Sequence, residues 1–319
     1  MLYDILFVIM GLGLLFAGGE GLVRGAVAIA ERFGIPKLLI GLVIVGFGTS
    51  TPELLVSVKA ALDGASEIAL GNVVGSNIAN ILLIIGIAAA IAPVSGWDRG
   101  ALREAFVATL VALGTLGLVQ ADMISQIHGT FMLIGLVAYL GFTYWLEMRG
   151  RTGQRTQKVE DIEDSVTMSR FKAMTFVIVG IAALVLGADL LVKGAVSIAR
   201  VFGVTDAVIG LSLVAIGTSL PELATAVVAA IKRQSDVVLG NVIGSNIFNI
   251  LAILGITVVI QPMEVAARFR DIDVPIMLGA TLVLLALLFA ARSIGRIFGL
   301  LMLSVYGVYM AFLFSTGAV

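Results

Sequence analysis

The chain has 319 residues, of which 60% are hydrophobic and 13% are charged, and its mean hydropathy is +1.11. Soluble domains carry about a quarter charged residues, and a formal net charge of −1 offers no basic surface for nucleic acid. The chain contains no cysteine, which excludes disulfides, thiolate metal sites and thiol catalysis.

Ten apolar segments are long enough to cross a lipid bilayer as helices. They are predicted at 4–30, 37–62, 67–91, 101–119, 127–147, 171–199, 205–231, 236–260, 272–291 and 294–316. One long polar stretch, 149–170, separates the first five from the last five and is predicted to be a linker. The sequence therefore predicts an all-α polytopic membrane protein with ten transmembrane helices.

The two halves of the chain are an internal repeat. Shifting the sequence by 169 residues aligns 48–87 with 217–256 without a gap, and 24 of these 40 positions are identical. We therefore divide the chain into a first five-helix repeat at 1–148, a linker at 149–170 and a second five-helix repeat at 171–319. A repeat with five spans ends on the opposite side of the membrane from where it begins, so the second repeat is expected to be inverted relative to the first. This arrangement is typical of transporters.

The basic residues predict the orientation. Fourteen of the twenty lysines and arginines fall in one set of connections and four in the other. The positive-inside rule places the richer set in the cytoplasm. We therefore expect an integral protein of the cell (inner) membrane, with the 149–170 linker cytoplasmic and both termini outside.

Four polar segments lie within the apolar spans, two in each half. The first pair reads GTSTPE (48–53) and GTSLPE (217–222), and the second reads GNVVGSNIAN (71–80) and GNVIGSNIFN (240–249). A proline inside a helix leaves carbonyls about one turn earlier without a donor, so free carbonyls are expected near Gly46 and Ala215. The neighbouring polar side chains are Thr49, Ser50 and Glu53 in the first half and Thr218, Ser219 and Glu222 in the second.

The two glutamates indicate a cation site. A charge at the centre of a membrane costs at least roughly 2.5–3.5 kcal/mol on insertion scales, so it usually marks function. Hydroxyl, amide and carbonyl oxygens surround Glu53 and Glu222, which favours a hard cation such as Ca²⁺ over a soft metal. Glycines at 71, 75, 240 and 244 are expected to bring Asn80 and Asn249 toward the glutamates, although glycine and serine also serve simply to pack membrane helices.

Three other polar features have simpler interpretations. Glu20 lies four residues before Arg24, and Asp189 lies four residues before Lys193, so each acid is expected to pair with its base on one helix face. The single histidine, His128, lies in a polar connection without a second histidine beside it and is interpreted as a solvated loop residue.

The repeated GTSxPE and GNxxGSNIxN segments resemble the two alpha-repeats of the cation/calcium exchanger superfamily, and most closely its prokaryotic sodium/calcium exchanger branch. The resemblance implies ten helices, with the second and third of each half forming the ion site. It implies that Glu53 and Glu222 ligate Ca²⁺ and Na⁺, that Asn80 and Asn249 border them, and that three Na⁺ exchange for one Ca²⁺. It also implies two flanking Na⁺ sites, one lined by Thr49, Ser50, Ser76 and the Gly46 carbonyl, the other by Thr218, Ser219, Ser245 and the Ala215 carbonyl.

Two differences from the family pattern concern the coupling ion. Asn249 stands where potassium-dependent members carry aspartate, which argues against K⁺ co-transport. Proton/calcium exchangers of the family typically carry glutamate in the GNxxG segment, whereas this chain has Val74 and Gly75, or Ile243 and Gly244. Sodium coupling is therefore favoured.

The hypothesis is a secondary active antiporter, not an enzyme, that exchanges Na⁺ for Ca²⁺ by alternating access in the lipid bilayer. We expect no cofactor and no obligate protein partner. An empty site carries a charge of about −2, which is costly to enclose in low dielectric, so only ion-loaded forms should switch sides. The first and sixth spans are expected to slide against the others. The alternatives are a Ca²⁺/H⁺ exchanger or another divalent-cation antiporter using the same two glutamates, a cation channel and an intramembrane hydrolase.

Overall fold

The computed structural model describes residues 2–33, 49–62, 64, 66–97, 99–150, 168–201, 215–291 and 293–316. In the first half, these residues form the helices α1 (Leu2–Phe33), α2 (Thr51–Leu62), α3 (Ser66–Ile91), α4 (Arg99–Leu118) and α5 (Gln126–Gly150). In the second half, they form α6 (Arg170–Val201), α7 (Ala215–Thr218), α8 (Leu220–Ile231), α9 (Ser235–Ile260), α10 (Phe269–Ala290) and α11 (Arg296–Thr316). The connections contain four short strands, β1 (Val94–Ser95), β2 (Met123–Ile124), β3 (Met263–Glu264) and β4 (Ser293–Ile294).

Within the described residues, eight helices are long and apolar enough to cross a membrane. These are α1, α3, α4, α5, α6, α9, α10 and α11, and each overlaps a span predicted from the sequence. The predicted spans 37–62 and 205–231 lie partly outside the described residues, and their described parts are α2, α7 and α8. Most of the predicted linker, 151–167, also lies outside them. The chain is a polytopic helical membrane protein.

The centre of the molecule is formed by α3 and α9. The most apolar stretch of α3 is 72% buried and that of α9 is 78% buried, whereas the corresponding values for the other spanning helices are 39% or less. Each of these two helices contains a π-helical segment, Asn80–Ile85 in α3 and Asn249–Leu254 in α9. Short π-helical insertions often occur at functional sites, and these two begin at the asparagines of the repeated motif.

The outer helices cross from one half of the chain to the other. The helix α1 packs along α6, α5 packs on the C-terminal part of α9, and α11 packs on the C-terminal part of α3. Glycine allows the last two crossings, because a Cβ at Gly129 would lie 2.7 Å from the Gly255 carbonyl oxygen and one at Gly299 would lie 2.7 Å from that of Gly86. The expectation for Gly75 was wrong, since a Cβ there would meet no heavy atom of the described chain within 4 Å. Gly75 faces open space and does not mediate a close helix contact.

The strands also join the two halves. β1 pairs antiparallel with β4, with Val94 opposite Ile294, and β2 pairs antiparallel with β3, with Met123 opposite Glu264. The first pair joins the α3–α4 connection to the α10–α11 connection, and the second pair joins the α4–α5 connection to the α9–α10 connection.

The helices α4 and α10 each carry a buried carboxylate that is bound by neighbouring side chains. This feature was not recognised in the sequence. The Tyr139 hydroxyl donates to Glu104 over 2.5 Å, and the Arg103 guanidinium lies 2.6 Å from the same carboxylate. In the second half, Tyr309 donates to Asp273 over 3.1 Å. Arg268 completes this second cluster at 3.0 Å. Each acid is thus paired and hydrogen-bonded, as buried charges require.

The two predicted acid–base pairs on the outer helices are confirmed. Arg24 pairs with Glu20 on α1, and Lys193 Nζ lies 2.6 Å from Asp189 on α6. Glu20 also binds Lys232 at 2.6 Å, which links α1 to the end of α8. The interpretation of His128 was wrong. It lies in the first turn of α5, where its Nδ1 accepts from the Ser125 backbone N–H at 3.1 Å.

Candidate cation site

Both glutamates lie in the first turn of a helix that starts inside the membrane. α7 ends at Thr218, Ser219 leaves helical geometry (φ −86°, ψ 7°), and α8 begins at Leu220, with Pro221 in its first turn. In the first half, α2 likewise begins directly after Ser50. The predicted interruption near the prolines is confirmed. A helix N-terminus favours negative charge, so this break provides a suitable position for each carboxylate.

Each glutamate is bound by a hydroxyl from the opposite half of the chain. Ser50 Oγ donates to Glu222 Oε1 over 2.8 Å, and Ser219 Oγ donates to Glu53 Oε1 over 3.1 Å. The two glutamates are completely enclosed, with relative exposures of 1% for Glu53 and 0% for Glu222. The carboxylates therefore occupy one shared site between the halves.

The serines of α3 and α9 complete this hydroxyl arrangement. Ser219 Oγ lies 3.2 Å from Ser76 Oγ, and Ser245 Oγ lies 3.4 Å from Glu222 Oε1. The resemblance grouped Ser50 with Ser76 and Ser219 with Ser245. In the structure, Ser219 contacts Ser76, and Ser50 and Ser245 share one oxygen of Glu222.

Two asparagines that sequence reasoning missed hold the glutamate backbones. Asn72 Nδ2 donates to the Glu53 carbonyl and Asn241 Nδ2 donates to the Glu222 carbonyl, each over 3.2 Å. Thr218 Oγ1 in turn donates to Asn72 Oδ1 at 3.1 Å, and Thr49 Oγ1 donates to Asn241 Oδ1 at 3.4 Å. The sequence signal that could have identified these two asparagines is their position in the GN dipeptide that both halves repeat.

Asn80 and Asn249 lie at the starts of the two π-helical segments and are buried. Asn80 Nδ2 donates to Asn246 Oδ1 at 3.0 Å, and Asn246 Nδ2 donates to the Asn77 carbonyl at 3.3 Å. Of the two predicted carbonyl ligands, Ala215 is the first residue of α7, and Gly46 lies outside the described residues.

Each of the two glutamates and each of Asn80 and Asn249 has one buried oxygen without a hydrogen-bond partner among the described residues. These four oxygens are Glu53 Oε2, Glu222 Oε2, Asn80 Oδ1 and Asn249 Oδ1. An unsatisfied buried polar atom costs about 1–3 kcal/mol, so four of them indicate that something else compensates. The oxygens fit a hard cation. No cluster of three His, Cys, Asp or Glu occurs in the described part of the chain, so a cation bound here would also need neutral oxygens as ligands.

Known proteins resemble this chain over nearly its whole length. The family model described as sodium/calcium exchanger protein matches residues 3–145 and 172–315. The inner membrane protein YrbG of Escherichia coli is 34% identical over 98% of both chains, and the sodium/calcium exchanger MaX1 of Methanosarcina acetivorans is 31% identical over 98% of both. The sodium-calcium exchanger NCX_Mj, solved after soaking with 10 mM Na⁺ and 10 mM Sr²⁺, superposes with a TM-score of 0.84 at 31% identity, covering 97% of this chain and 98% of its own.

The resemblance drawn from the repeated motifs is thereby confirmed over nearly the whole length of the chain. The chain belongs to the sodium/calcium exchanger family, in its prokaryotic branch.

Proposed function

We propose that this protein exchanges Na⁺ for Ca²⁺ across the membrane by alternating access, with Glu53 and Glu222 as the central ligands. The observation that carries the proposal is the pair of enclosed carboxylates, each with one oxygen bound across the halves and one without a partner in the described chain. The protein is a transporter and not an enzyme, as its relatives are ion exchangers.

The ligand chemistry supports Ca²⁺ and Na⁺ as the transported ions. Ca²⁺ takes about 6–8 oxygens without a strict geometry. The site offers two carboxylates, the amide oxygens of Asn80 and Asn249, and several hydroxyls. We infer that Ca²⁺ binds between the glutamates and that Na⁺ binds on either side. The flanking ligands proposed are Thr49, Ser50, Ser76, Thr218, Ser219, Ser245 and the carbonyls of Gly46 and Ala215.

Charge explains why ions would be exchanged and not leaked. With both carboxylates ionised, the empty site holds about −2 in a low-dielectric interior, which opposes closure around it. One Ca²⁺ neutralises that charge, as two Na⁺ do, and three Na⁺ leave the site with about +1. Closure is therefore favoured only in the ion-loaded forms, which couples the movement of the two ions.

We infer that the two five-helix repeats, 1–148 and 171–319, are inverted, giving ten helices in all. The strand pairing supports this. In the repeat alignment β1 corresponds to β3 and β2 to β4, yet β1 pairs with β4 and β2 with β3. The 20-residue helix α4 separates β1 from β2 by about 30 Å. Equivalent connections of the two repeats therefore lie at opposite ends of α4. The distribution of basic residues favours a cytoplasmic 149–170 linker and external termini.

The test is ⁴⁵Ca²⁺ uptake into proteoliposomes loaded with Na⁺. We expect uptake to require internal Na⁺ and to fall to the level of protein-free liposomes in Glu53→Gln, because the substitution removes half of the charge that binds Ca²⁺. Glu67→Gln makes the same change at an exposed acid of α3 and should keep wild-type uptake.

The same assay separates the alternatives. Uptake driven by a pH gradient without Na⁺ would assign Ca²⁺/H⁺ exchange to the same glutamates. Downhill Ca²⁺ flux that no ion gradient can drive uphill would indicate a channel. Wild-type uptake by Glu53→Gln would refute the proposed site.

A further inference from the structure

A polar cavity lies away from the glutamates, at the end of the molecule where β1 pairs with β4. Its volume is about 480 Å³, and it opens between the end of α3, the connection from α8 to α9, and the start of α11. The polar lining residues on which the argument depends are Ser95, Arg233, Ser235, Asp236 and Arg296.

The lining is positively charged. Two arginines and one aspartate, Arg233, Arg296 and Asp236, give it a formal charge of +1. In the part of the chain that the structure describes, neither guanidinium is engaged in an ion pair or hydrogen bond. Ser235 and Arg296 are also the first residues of α9 and α11, whose N-terminal ends favour anions. The Ser95 N–H donates to Ser235 Oγ at 3.1 Å, which leaves the Ser235 hydroxyl proton available to a ligand.

Arg233 adopts a left-handed conformation directly after the end of α8. Arg233 has φ 55° and is the one non-glycine residue with positive φ among the described residues. Its equivalent in the first repeat is Gly64, with φ 78°. Glycine adopts this conformation without steric cost, whereas arginine does not. The arginine side chain is therefore kept at this position at a backbone cost that glycine would avoid.

The second arginine of the cavity, Arg296, also has no arginine counterpart in the first repeat. Arg296 begins α11, and the equivalent first residue of α5 is Gln126, whose amide donates to the Val259 carbonyl at 3.0 Å. Ser95 of β1 corresponds to Glu264 of β3. The duplicated positions at the opposite end therefore lack both arginines and add a carboxylate. An anion site would exist at one end only.

A residue typical of membrane interfaces lies beside the cavity. Trp97, which follows the cavity wall, donates its indole N–H to the Leu288 carbonyl at 3.0 Å, and tryptophan is typical of membrane interfaces. Two strongly exposed apolar residues flank the arginines, Ile231 at 58% and Ile297 at 76%. Exposed apolar side chains therefore lie beside both arginines along the chain.

We propose that this cavity binds a phosphate-type anion through Arg233 and Arg296. Guanidinium groups recognise phosphate oxygens with paired, charge-assisted hydrogen bonds. The headgroup of an anionic phospholipid and free inorganic phosphate offer the same chemistry. The inference is independent of which cations the protein exchanges.

The experiment measures the melting temperature of the full-length protein in neutral detergent during three titrations. The probes are dihexanoyl-phosphatidylglycerol, dihexanoyl-phosphatidylcholine and inorganic phosphate. We expect a saturable increase in melting temperature with at least one of the two anionic probes and none with phosphatidylcholine. In Arg233→Gly and Arg296→Gln, the apparent Kd for the active probe should increase by about tenfold or more, because a charge-assisted bond is lost.

These variants copy residues that the first repeat already carries at the same places. Arg233→Gly also relieves the strained backbone, so its melting temperature without probe should match or exceed that of the wild type. A loss of binding there cannot be attributed to misfolding. Arg99→Gln, an exposed arginine outside the cavity, should bind the probe like the wild type.

The outcomes are distinct. A response to phosphatidylglycerol alone assigns a lipid headgroup, and a response to inorganic phosphate assigns the free anion. No saturable response to either anion would overturn the proposal. An equal loss of binding in Arg99→Gln and Arg233→Gly would also overturn it, because binding would then reflect only the general surface charge.

Discussion

Asn72 and Asn241 use both ends of their amide groups to hold the site together. Asn72 Nδ2 donates to the Glu53 carbonyl at 3.2 Å and to Ser57 Oγ at 2.9 Å, while its Oδ1 accepts from Thr218 at 3.1 Å. One side chain thus connects α3 to α2 and to α7 of the other half. Each asparagine holds the backbone carbonyl of one glutamate, so we expect the direction of both carboxylates to depend on these asparagines.

We predict that Asn72→Ala destabilises the protein by about 1–3 kcal/mol, because it removes the three buried hydrogen bonds that Asn72 makes. Ca²⁺ binding should also weaken, since Glu53 is no longer positioned. Thermal unfolding in detergent and Ca²⁺ titration measure the two effects. Gln120→Ala removes an exposed amide that donates to the Leu116 carbonyl and should change neither. Wild-type stability and affinity in Asn72→Ala would contradict this role.

At the scale of helices, α1 and α6 form the most extensive helix contact in the described chain. Small residues make it possible. A Cβ at Gly180 would lie 2.7 Å from the Leu22 backbone nitrogen and 2.9 Å from the Gly18 carbonyl oxygen. Close approach of backbones is the usual mode of helix association in membranes. This packing supports the hypothesis that the two helices move together as a unit against the central helices.

We predict that Gly180→Ala lowers the melting temperature, because the added methyl group would overlap backbone atoms that cannot rotate away. Overpacking of this kind costs about 1–3 kcal/mol. Gly13→Ala is the matched control on α1, since a Cβ there meets no described heavy atom within 4 Å. Thermal unfolding of both variants checks the prediction. Equal melting temperatures for the two variants would show that the α1–α6 spacing tolerates a methyl group.

At the scale of the whole molecule, four hydrogen bonds of the site form two crossed pairs between the halves of the chain. Ser50 binds Glu222 while Ser219 binds Glu53, and Thr49 binds Asn241 while Thr218 binds Asn72. The inverted arrangement that we propose would let the two copies present the same site to either side of the membrane. That property is what alternating access requires.

The orientation is testable because the chain contains no cysteine. Ser66 and Ser235 are equivalent residues that begin α3 and α9. We predict that a membrane-impermeant maleimide labels Ser66→Cys but not Ser235→Cys on intact cells, and labels both after permeabilisation. Labelling of both from outside on intact cells would refute the inverted repeats, and labelling of Ser235→Cys alone would reverse only the assigned sides.

The apolar spans, the duplication and the glutamates could be read from the sequence because each is a local property. Span length depends on runs of apolar residues, and a proline interrupts the helix that contains it. The eight described spanning helices and the break before Leu220 followed from these rules. Family membership followed from motifs that occur twice.

Only the tertiary structure decided which oxygens meet. Ser219 and Glu53 are separated by 166 residues and Ser50 and Glu222 by 172, so their pairing depends on how the two halves pack. The π-helical segments at Asn80 and Asn249, the Asn72 contacts and the Tyr139–Glu104 bond were not predicted for the same reason. Each is set by neighbours on another helix. Hydropathy and spacing within one segment carry no information about those neighbours.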